Sequence, residues 1–330
     1  MRDQPMTSIV QPLVTVLTPV YNGEKYIVEC IESVLAQSYE NWEYHIINNC
    51  STDGTLTIAK AYAARDPRIR VTTNTRFVGV QENHNIAFRS VPVTSKYCKV
   101  VHADDWLFPD CIEKMVSLAE ANPSVGIVGA YGLRNSQVVW DGLPYPSTMV
   151  NGREVCRSLL MGGSSVFGTP TSVLFRSDEV KSRSTFFNEM HLHSDMEACL
   201  DVLQKTDFGF VHQVLTYTRV HANNASEFDT VSLHLPEIEM LYKYGPVYLR
   251  DEEFKEQTRR MWSRYYTALG SKVFRNRDKR FWHYHRTTLK RLGHGLQVSR
   301  IGIAIFLKVL DIGLNPLSAS LRIARRVGVL

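Results

Sequence analysis

Val14-Thr15-Val16-Leu17-Thr18-Pro19-Val20-Tyr21-Asn22-Gly23-Glu24 is the stretch whose reading decides the fold. Residues 14–18 form a short apolar, β-branched run. It is closed by Pro and Asn-Gly, which punctuate turns. A run so short and so bounded predicts a strand buried on both faces. Directly downstream, Ile27, Cys30, Ile31, Val34 and Leu35 recur at helical spacing. The same rhythm continues outward. Strands are predicted at residues 44–47, 69–72, 98–101 and 125–128. Helices are predicted from about Asp53, over residues 82–89, and after Pro109, which a first helical turn tolerates. This alternation predicts an α/β fold, a mostly parallel sheet with helices on both faces.

Ligands of such sheets sit beyond the carboxyl ends of the strands. Those ends carry the unusual residues here. The first strand runs into Thr18-Pro19-Val20-Tyr21-Asn22-Gly23-Glu24. The second runs into Asn48-Asn49-Cys50-Ser51-Thr52-Asp53-Gly54. The fourth stops at His102-Ala103-Asp104-Asp105-Trp106. An acidic pair at a strand end can hold a hard cation beside phosphates. Side chains alternate along an extended chain, so only one of Asp104 and Asp105 is expected to touch a metal directly. The plainer reading is a solvated turn that caps the next helix. No GxxxxGK[ST] loop and no GxGxxG after the first strand occur, which excludes a P-loop and leaves no dinucleotide fingerprint.

Residues 131–235 are less regular. Loops at residues 162–165 and 168–172 precede a predicted strand at 173–176. Ser194-Asp195-Met196-Glu197 opens a helix, with Met196, Cys199, Leu200 and Leu203 at helical spacing. Residues 208–211 and 214–219 read as two strands. A carboxylate at a helix start suits a general base. It equally suits an N-cap, which would pull its pKa down.

Composition fits a folded globular chain of 330 residues, 44% hydrophobic and 22% charged. The six cysteines are scattered without CxxC or Cys/His spacing, so buried free thiols in a reducing compartment are expected. Residues 1–11 are polar and lack the apolar core of an export signal. The net charge of +5 is unevenly spread. Residues 240–330 carry 19 Lys and Arg against 6 Asp and Glu, leaving that segment at +13 and residues 1–239 at −8. The basic segment contains an apolar run at 301–307, far short of the ~20 residues a membrane span needs. Lys308, Asp311, Arg322, Arg325 and Arg326 also oppose spanning. Two readings fit: an interfacial helix on an anionic membrane surface, or a core helix with a solvated basic face. No nucleic-acid motif accompanies the charge, so no nucleic-acid partner is expected.

With these motifs in this order, the chain resembles the family 2 inverting glycosyltransferases of the GT-A fold. The resemblance spans roughly residues 12–225. It rests on the opening strand and loop, on Ser51-Thr52-Asp53-Gly54-Thr55, on Val101-His102-Ala103-Asp104-Asp105 as the DxD segment, and on Asp195 followed by Phe208-Gly209-Phe210-Val211 and Tyr217-Thr218-Arg219-Val220-His221. It implies a GT-A catalytic domain over residues 1–235, with a nucleotide-sugar half at about 12–130 and an acceptor half at about 131–235. A basic helical region, 236–330, follows. Asp195 would be the catalytic base. Thr18, Pro19, Tyr21, Asn22, Glu24, Asn49, Ser51, Asp53, Asn83, His102, Ala103 and Asp104 would bind the nucleotide sugar. Asp104 and His221 would hold Mg²⁺ or Mn²⁺. Trp106, Thr169, Thr171 and Ser172 would meet a saccharide or lipid-linked acceptor.

Two departures stand out. Asn49 stands where the family usually has an aspartate that accepts from uracil. Its amide oxygen can still accept, without a charge. UDP or dTDP donors are favoured and GDP is compatible. His102 replaces the first aspartate of DxD, a position that generally contacts the ribose. Two other classes are carried beside this reading: a nucleotidyltransferase of similar topology, and a non-catalytic sugar-nucleotide-binding or membrane-scaffold protein. The expected setting is cytoplasmic, peripheral on the inner face of the cytoplasmic membrane, in surface polysaccharide synthesis.

Overall fold

The computed structural model describes residues 11–191, 193–221, 232–273 and 278–314. Its first half alternates strands and helices: β1 (Val14–Val20), α1 (Ile27–Leu35), β2 (Trp42–Asn48), α2 (Thr55–Ala63), β3 (Ile69–Thr73), α3 (Val80–Arg89) and β4 (Tyr97–Val100). These strands pair in parallel in the order β3-β2-β1-β4. The sheet continues through β5 (Trp106–Leu107), β6 (Val125–Arg134), β7 (Gln137–Val139), β8 (Met149–Val150), β9 (Val173–Arg176) and β10 (Asp207–Thr218). Between them lie α4 (Cys111–Ala121), α5 (Gly152–Leu160), α6 (Ser177–Lys181) and α7 (Ser194–Val202). The full order is β3-β2-β1-β4-β9-β6-β10-β5, with β7 on β6 and β8 on β10.

Alternation along the strands builds two apolar layers. Val14 and Val16 of β1 and Tyr44 and Ile46 of β2 pack with Ile27, Ile31 and Val34 of α1, Ala59 of α2, and Ile112 and Met115 of α4. Each fully buried Val, Ile or Leu in that layer contributes about 1.5–3 kcal/mol relative to an exposed one. Elsewhere Phe88 of α3 meets Phe186 and Phe187 edge-on, and Phe175 of β9 meets Phe186. Five of the six cysteines are buried free thiols, and Cys50 is half-buried.

Two strand expectations change. β9 runs antiparallel to both neighbours, β4 and β6. A turn at Pro170–Ser172 feeds it into the sheet, and a four-residue run reveals a strand without revealing its direction. The two strands expected at 208–211 and 214–219 are one, β10, parallel to β6. Its register slips: Val211 pairs with Ala130, Val214 with Tyr131 and Thr216 with Gly132. Such bulges bend a strand and re-aim the residues beyond.

The chain divides into two compact units, 1–221 and 222–330. The second contains α8 (Leu235–Tyr248), α9 (Asp251–Lys272), α10 (Lys279–Arg291) and α11 (Val298–Leu314). Trp262, Tyr265, Tyr266 and Leu269 of α9 pack with Leu235, Ile238, Phe281, Leu289 and Ile301. Gly270 admits Ala304 of α11 closely: a Cβ there would lie 3.1 Å from that methyl. Ile301 is therefore covered, whereas Ile303, Phe306, Leu307 and Leu310 remain exposed. Among the described residues no helix is long and apolar enough to cross a membrane. Arg322, Arg325 and Arg326 lie outside the described residues.

Thr18 joins β1 to the end of β4. Its buried hydroxyl donates to the Val101 carbonyl at 2.7 Å and meets the Tyr44 hydroxyl at 2.7 Å. Thr18→Val should strand the Val101 carbonyl, leave the Tyr44 hydroxyl only the Cys30 sulfur at 3.5 Å, and cost about 1–3 kcal/mol. Urea unfolding with an unchanged m-value is the measurement, and an unchanged midpoint would contradict it.

Candidate active site

The first two strand-end loops are laced to each other. Asn22 and Cys50 adopt positive φ, which turns both loops sharply. The Asn22 amide N–H donates to Ser51 Oγ at 3.0 Å, and Thr52 N–H returns to Asn22 Oδ1 at 2.8 Å. Glu24 N–H donates to Asp53 Oδ2 at 3.1 Å, while Gly54 N–H donates to Glu24 Oε2 at 2.8 Å. Gly23 N–H donates to Thr55 Oγ1 at 2.8 Å, and Asp53 Oδ1 accepts from Thr55. Burial acts to raise the Asp53 pKa, but the bonds from Thr55 and Glu24 outweigh it and the group sits below the ordinary carboxylate value. Asn22, Glu24, Ser51 and Asp53 thus shape the loops through one another.

Asn49 is buried and both lone pairs of its amide oxygen are engaged. Oδ1 accepts from Val78 N–H and from Asn74 Nδ2, both at 3.0 Å, and Nδ2 donates to the Val78 carbonyl at 2.9 Å. A carbonyl oxygen has two lone pairs. Both are taken, so the expected acceptance from a nucleobase has no lone pair left. Asn74 also donates to Asn83 Oδ1 at 2.8 Å, which places Asn83 in the same buried amide cluster. Beside it, exposed Tyr21 meets exposed Phe77 edge-on at 4.7 Å. Phe77 had no sequence signal beyond following a turn.

The third loop is tied to two distant stretches. Residues 102–105 form a turn closed by Asp105 N–H to the His102 carbonyl at 3.0 Å. Asp105 is 2% exposed, whereas Asp104 is half-buried. Asp105 Oδ2 accepts from the Thr171 hydroxyl at 2.7 Å and Oδ1 accepts from Arg219 N–H at 3.0 Å. Thr171 Oγ1 also accepts from His102 N–H at 3.1 Å. Burial, then the neighbouring Asp104 charge, pushes the Asp105 pKa upward against His102 and these hydrogen bonds. Beneath the turn, buried Lys99 donates to the Thr171 and Val173 carbonyls, and burial lowers its pKa. Thr171 and Ser172 are buried parts of this scaffold.

Asp104 Oδ2 lies 2.9 Å from His221 Nε2. The His221 ring stacks on Tyr26 at 5.2 Å. Arg219 Nε donates to the Asp104 carbonyl at 3.0 Å, and its guanidinium lies over Tyr26 and Trp106. Trp106 itself stacks flat on Tyr217 at 3.6 Å. Ligand atoms of His102, Asp104 and Asp105 all lie within 4.8 Å of one another. Carboxylate oxygens with imidazole nitrogen suit a divalent cation such as Mn²⁺, so these residues fit the implied group.

Asp195 sits in the first turn of α7, but His193 is the N-cap and makes no side-chain cap bond. Asp195 Oδ1 accepts from Met196 N–H at 2.8 Å. The capping alternative is therefore corrected, and so is its consequence. Burial raises the Asp195 pKa above the ordinary value, against the Met196 bond and the charges of His193 and His102. The carboxyl lines a small cavity with Phe167, Thr169, Pro170, Phe187 and Cys199. His84 was not signalled by the sequence. It is buried, contacts His102 at 3.1 Å, and is depressed to about 3 by burial and by His102.

The mostly parallel sheet, with the laced loops and the acid–imidazole cluster at its strand ends, matches the expected GT-A fold of a glycosyltransferase. The glycosyl transferase family 2 profile matches residues 15–181, half of the chain, and the chain belongs to this family. It is 29% identical over 222 residues to a Bacillus subtilis protein named as the glycosyltransferase EpsE, covering 63% of this chain and 78% of that one. It is 37% identical over 106 residues to TuaG of the same organism, named for teichuronic acid biosynthesis, covering 32% and 41%. Staphylococcus aureus TarS 1-349 in complex with UDP-GlcNAc superposes with a TM-score of 0.59 at 16% identity, over 79% of this chain and 76% of that chain. The mannosyltransferase PcManGT of Pyrobaculum calidifontis, in complex with GDP-Man and Mn²⁺, gives 0.57 at 14% identity, over 92% and 88%. These likenesses show the fold.

A raised Asp195 pKa means the folded chain holds a proton the unfolded chain has lost. Stability should fall as pH rises from the ordinary aspartate value through the raised one, and stay reduced at neutral pH. Asp195→Asn should accordingly leave the melting temperature at pH 7 equal or higher. A clear drop would show that the ionised carboxylate supports the fold.

Proposed function

We propose that the chain is a metal-dependent, inverting glycosyltransferase that moves a sugar from a nucleoside diphosphate to a hydroxyl of a saccharide or lipid-linked acceptor, in polysaccharide synthesis. The observation that carries this is the Asp104 carboxylate, paired with His221 at 2.9 Å and set at the strand ends beside the two laced loops. Asp104 and His221, with His102 and Asp105 in reach, would hold Mg²⁺ or Mn²⁺. Such a cation, when bound, neutralises the charge that grows on the leaving diphosphate. The neighbours' UDP-GlcNAc and GDP-Man with Mn²⁺ support a nucleotide-sugar donor. TuaG's name supports polysaccharide work. With Asn49 engaged by Val78, the choice of base falls to other groups, the exposed Tyr21–Phe77 pair among them.

In this reading Asp195 takes the acceptor proton. Its burial suits the task, because a base whose pKa is lifted toward neutrality accepts a proton more readily. A single in-line displacement then inverts the anomeric centre. Thr169, beside Asp195 in the small cavity, and Trp106, held flat by Tyr217, would border the acceptor.

α11 supports a membrane setting. One side packs through Ile301 and Ala304, while Phe306 at 62% and Leu307 at 58% are exposed. Exposed apolar side chains in a segment of +13 net charge fit an anionic lipid surface, which attracts about 1 kcal/mol per nearby Lys or Arg.

Three experiments test this. Asp104→Asn should remove Mn²⁺-dependent binding of UDP or GDP by calorimetry with the fold intact. Asp195→Asn should keep that binding and lose roughly 10²-fold or more in turnover. Near-normal turnover of Asp195→Asn would remove the base assignment. Phe306→Ser with Leu307→Ser should release the chain from anionic vesicles at low salt without lowering its melting temperature. Failure of the parent chain to sediment with anionic vesicles would end the membrane proposal.

A further inference from the structure

His84 and His102 approach each other at 3.1 Å, Nε2 to Nε2. One proton must lie between two nitrogens at that distance, and neighbouring groups decide which ring carries it. His84 Nδ1 lies 2.8 Å from the Val80 carbonyl. A carbonyl can only accept, so His84 Nδ1 carries a proton. The His84 ring is buried, flanked by Phe187 and His102. Among the described residues its polar contacts are that carbonyl and the second imidazole, and a second proton would place a cation there with no carboxylate beside it. His84 Nε2 is therefore the acceptor, and His102 Nε2 carries the shared proton.

The far side of His102 follows, because the bond made by one ring nitrogen sets the state of the other. In the tautomer with its proton on Nε2, His102 presents a lone pair at Nδ1. That nitrogen lies 3.8 Å from Asp105 Oδ2, too far for a hydrogen bond. A nitrogen lone pair facing a carboxylate is repulsive without a cation between them. His102 also belongs to the cluster whose ligand atoms fall within 4.8 Å.

We infer that His84 is a positioning residue that locks His102 as the Nε2–H tautomer, so that His102 Nδ1 joins Asp104 as a nitrogen ligand of the divalent cation. This rests on the metal-dependent reading and adds to it. The replacement of a DxD aspartate by His102 then adds a nitrogen ligand at a position that generally contacts the ribose. A nitrogen donor shifts preference from Mg²⁺ toward Mn²⁺ and later metals of the first transition series.

The test uses the full chain labelled with ¹⁵N-histidine. Long-range ¹H–¹⁵N spectra of the metal-free protein should show His102 protonated at Nε2 and bare at Nδ1. A proton on Nδ1 overturns the inference without any variant. Pulsed EPR with Mn²⁺, alone and with UDP, should show coupling to two imidazole nitrogens, one lost in His102→Ala, the other in His221→Ala, and both in the double variant. His84→Phe should weaken Mn²⁺ binding about 10-fold, the scale of a lost ligand-orienting partner. His84→Gln, which retains an acceptor oxygen, should recover part of it. Unchanged coupling in His102→Ala, or unchanged affinity in His84→Phe, overturns the inference while Asp104→Asn still abolishes binding. Mn²⁺ binding that is absent from the parent chain, or indifferent to Asp104→Asn, overturns the metal reading itself and this inference with it.

Discussion

The carboxylate of Asp105 joins stretches of chain that are far apart in sequence. One oxygen accepts from Thr171 and the other from the backbone of Arg219. The first bond fixes the turn before β9 and the second fixes the end of β10, both against the turn that carries Asp104. A buried carboxylate is costly unless its lone pairs are met. The cost makes the arrangement selective: a chain in which Thr171 or Arg219 is misplaced leaves Asp105 unsatisfied. Lys99, under the same turn and held by the Thr171 and Val173 carbonyls, applies the same constraint from below. Asp104 thereby keeps its place while remaining half-exposed and able to meet a ligand.

Arg219 shows how such a constraint serves several ends. Its backbone bonds Asp105, its Nε bonds the Asp104 carbonyl, and its guanidinium covers Tyr26 and Trp106. Tyr26 in turn stacks on His221. The imidazole facing Asp104 is thus held in a layered aromatic and cationic stack. Planar groups of this kind lose little freedom when stacked, which favours a fixed geometry over a flexible one.

The parallel half of the sheet was legible because its strands are short apolar runs separated by helical periodicity. Strands β1 to β4 fall within a few residues of their expected places. The direction of β9 was not legible, since four residues carry no record of which neighbour they will meet. The active-site loops were legible as composition but not as bonding. Asn22, Ser51 and Asp53 read as ligand groups, and the structure commits them to one another. Asn49 reads as an acceptor, but the Val78 backbone occupies it, a pairing that spans 29 positions. Asp195 reads equally as cap and base. The capping position falls to His193 because the helix starts one residue before Asp195. His84 lies on a helix face where a histidine reads as ordinary, and its meeting with His102 depends on tertiary packing.

The slipped register of β10 sets a limit on how this gene can change length. Residues 211–216 lie against residues 130–132, and the excess is taken up in bulges just before Thr216. Beyond them the strand delivers Arg219 to Asp105 and His221 to Asp104 within a few residues. Side chains alternate with a period of two, so removing one codon between 212 and 215 would turn every later residue of β10 to the opposite face. An in-frame deletion that in a surface loop would pass unnoticed would here separate an imidazole from its carboxylate. Length variation in this part of the chain is therefore expected to collect before Asp207 and after His221, and not inside the strand.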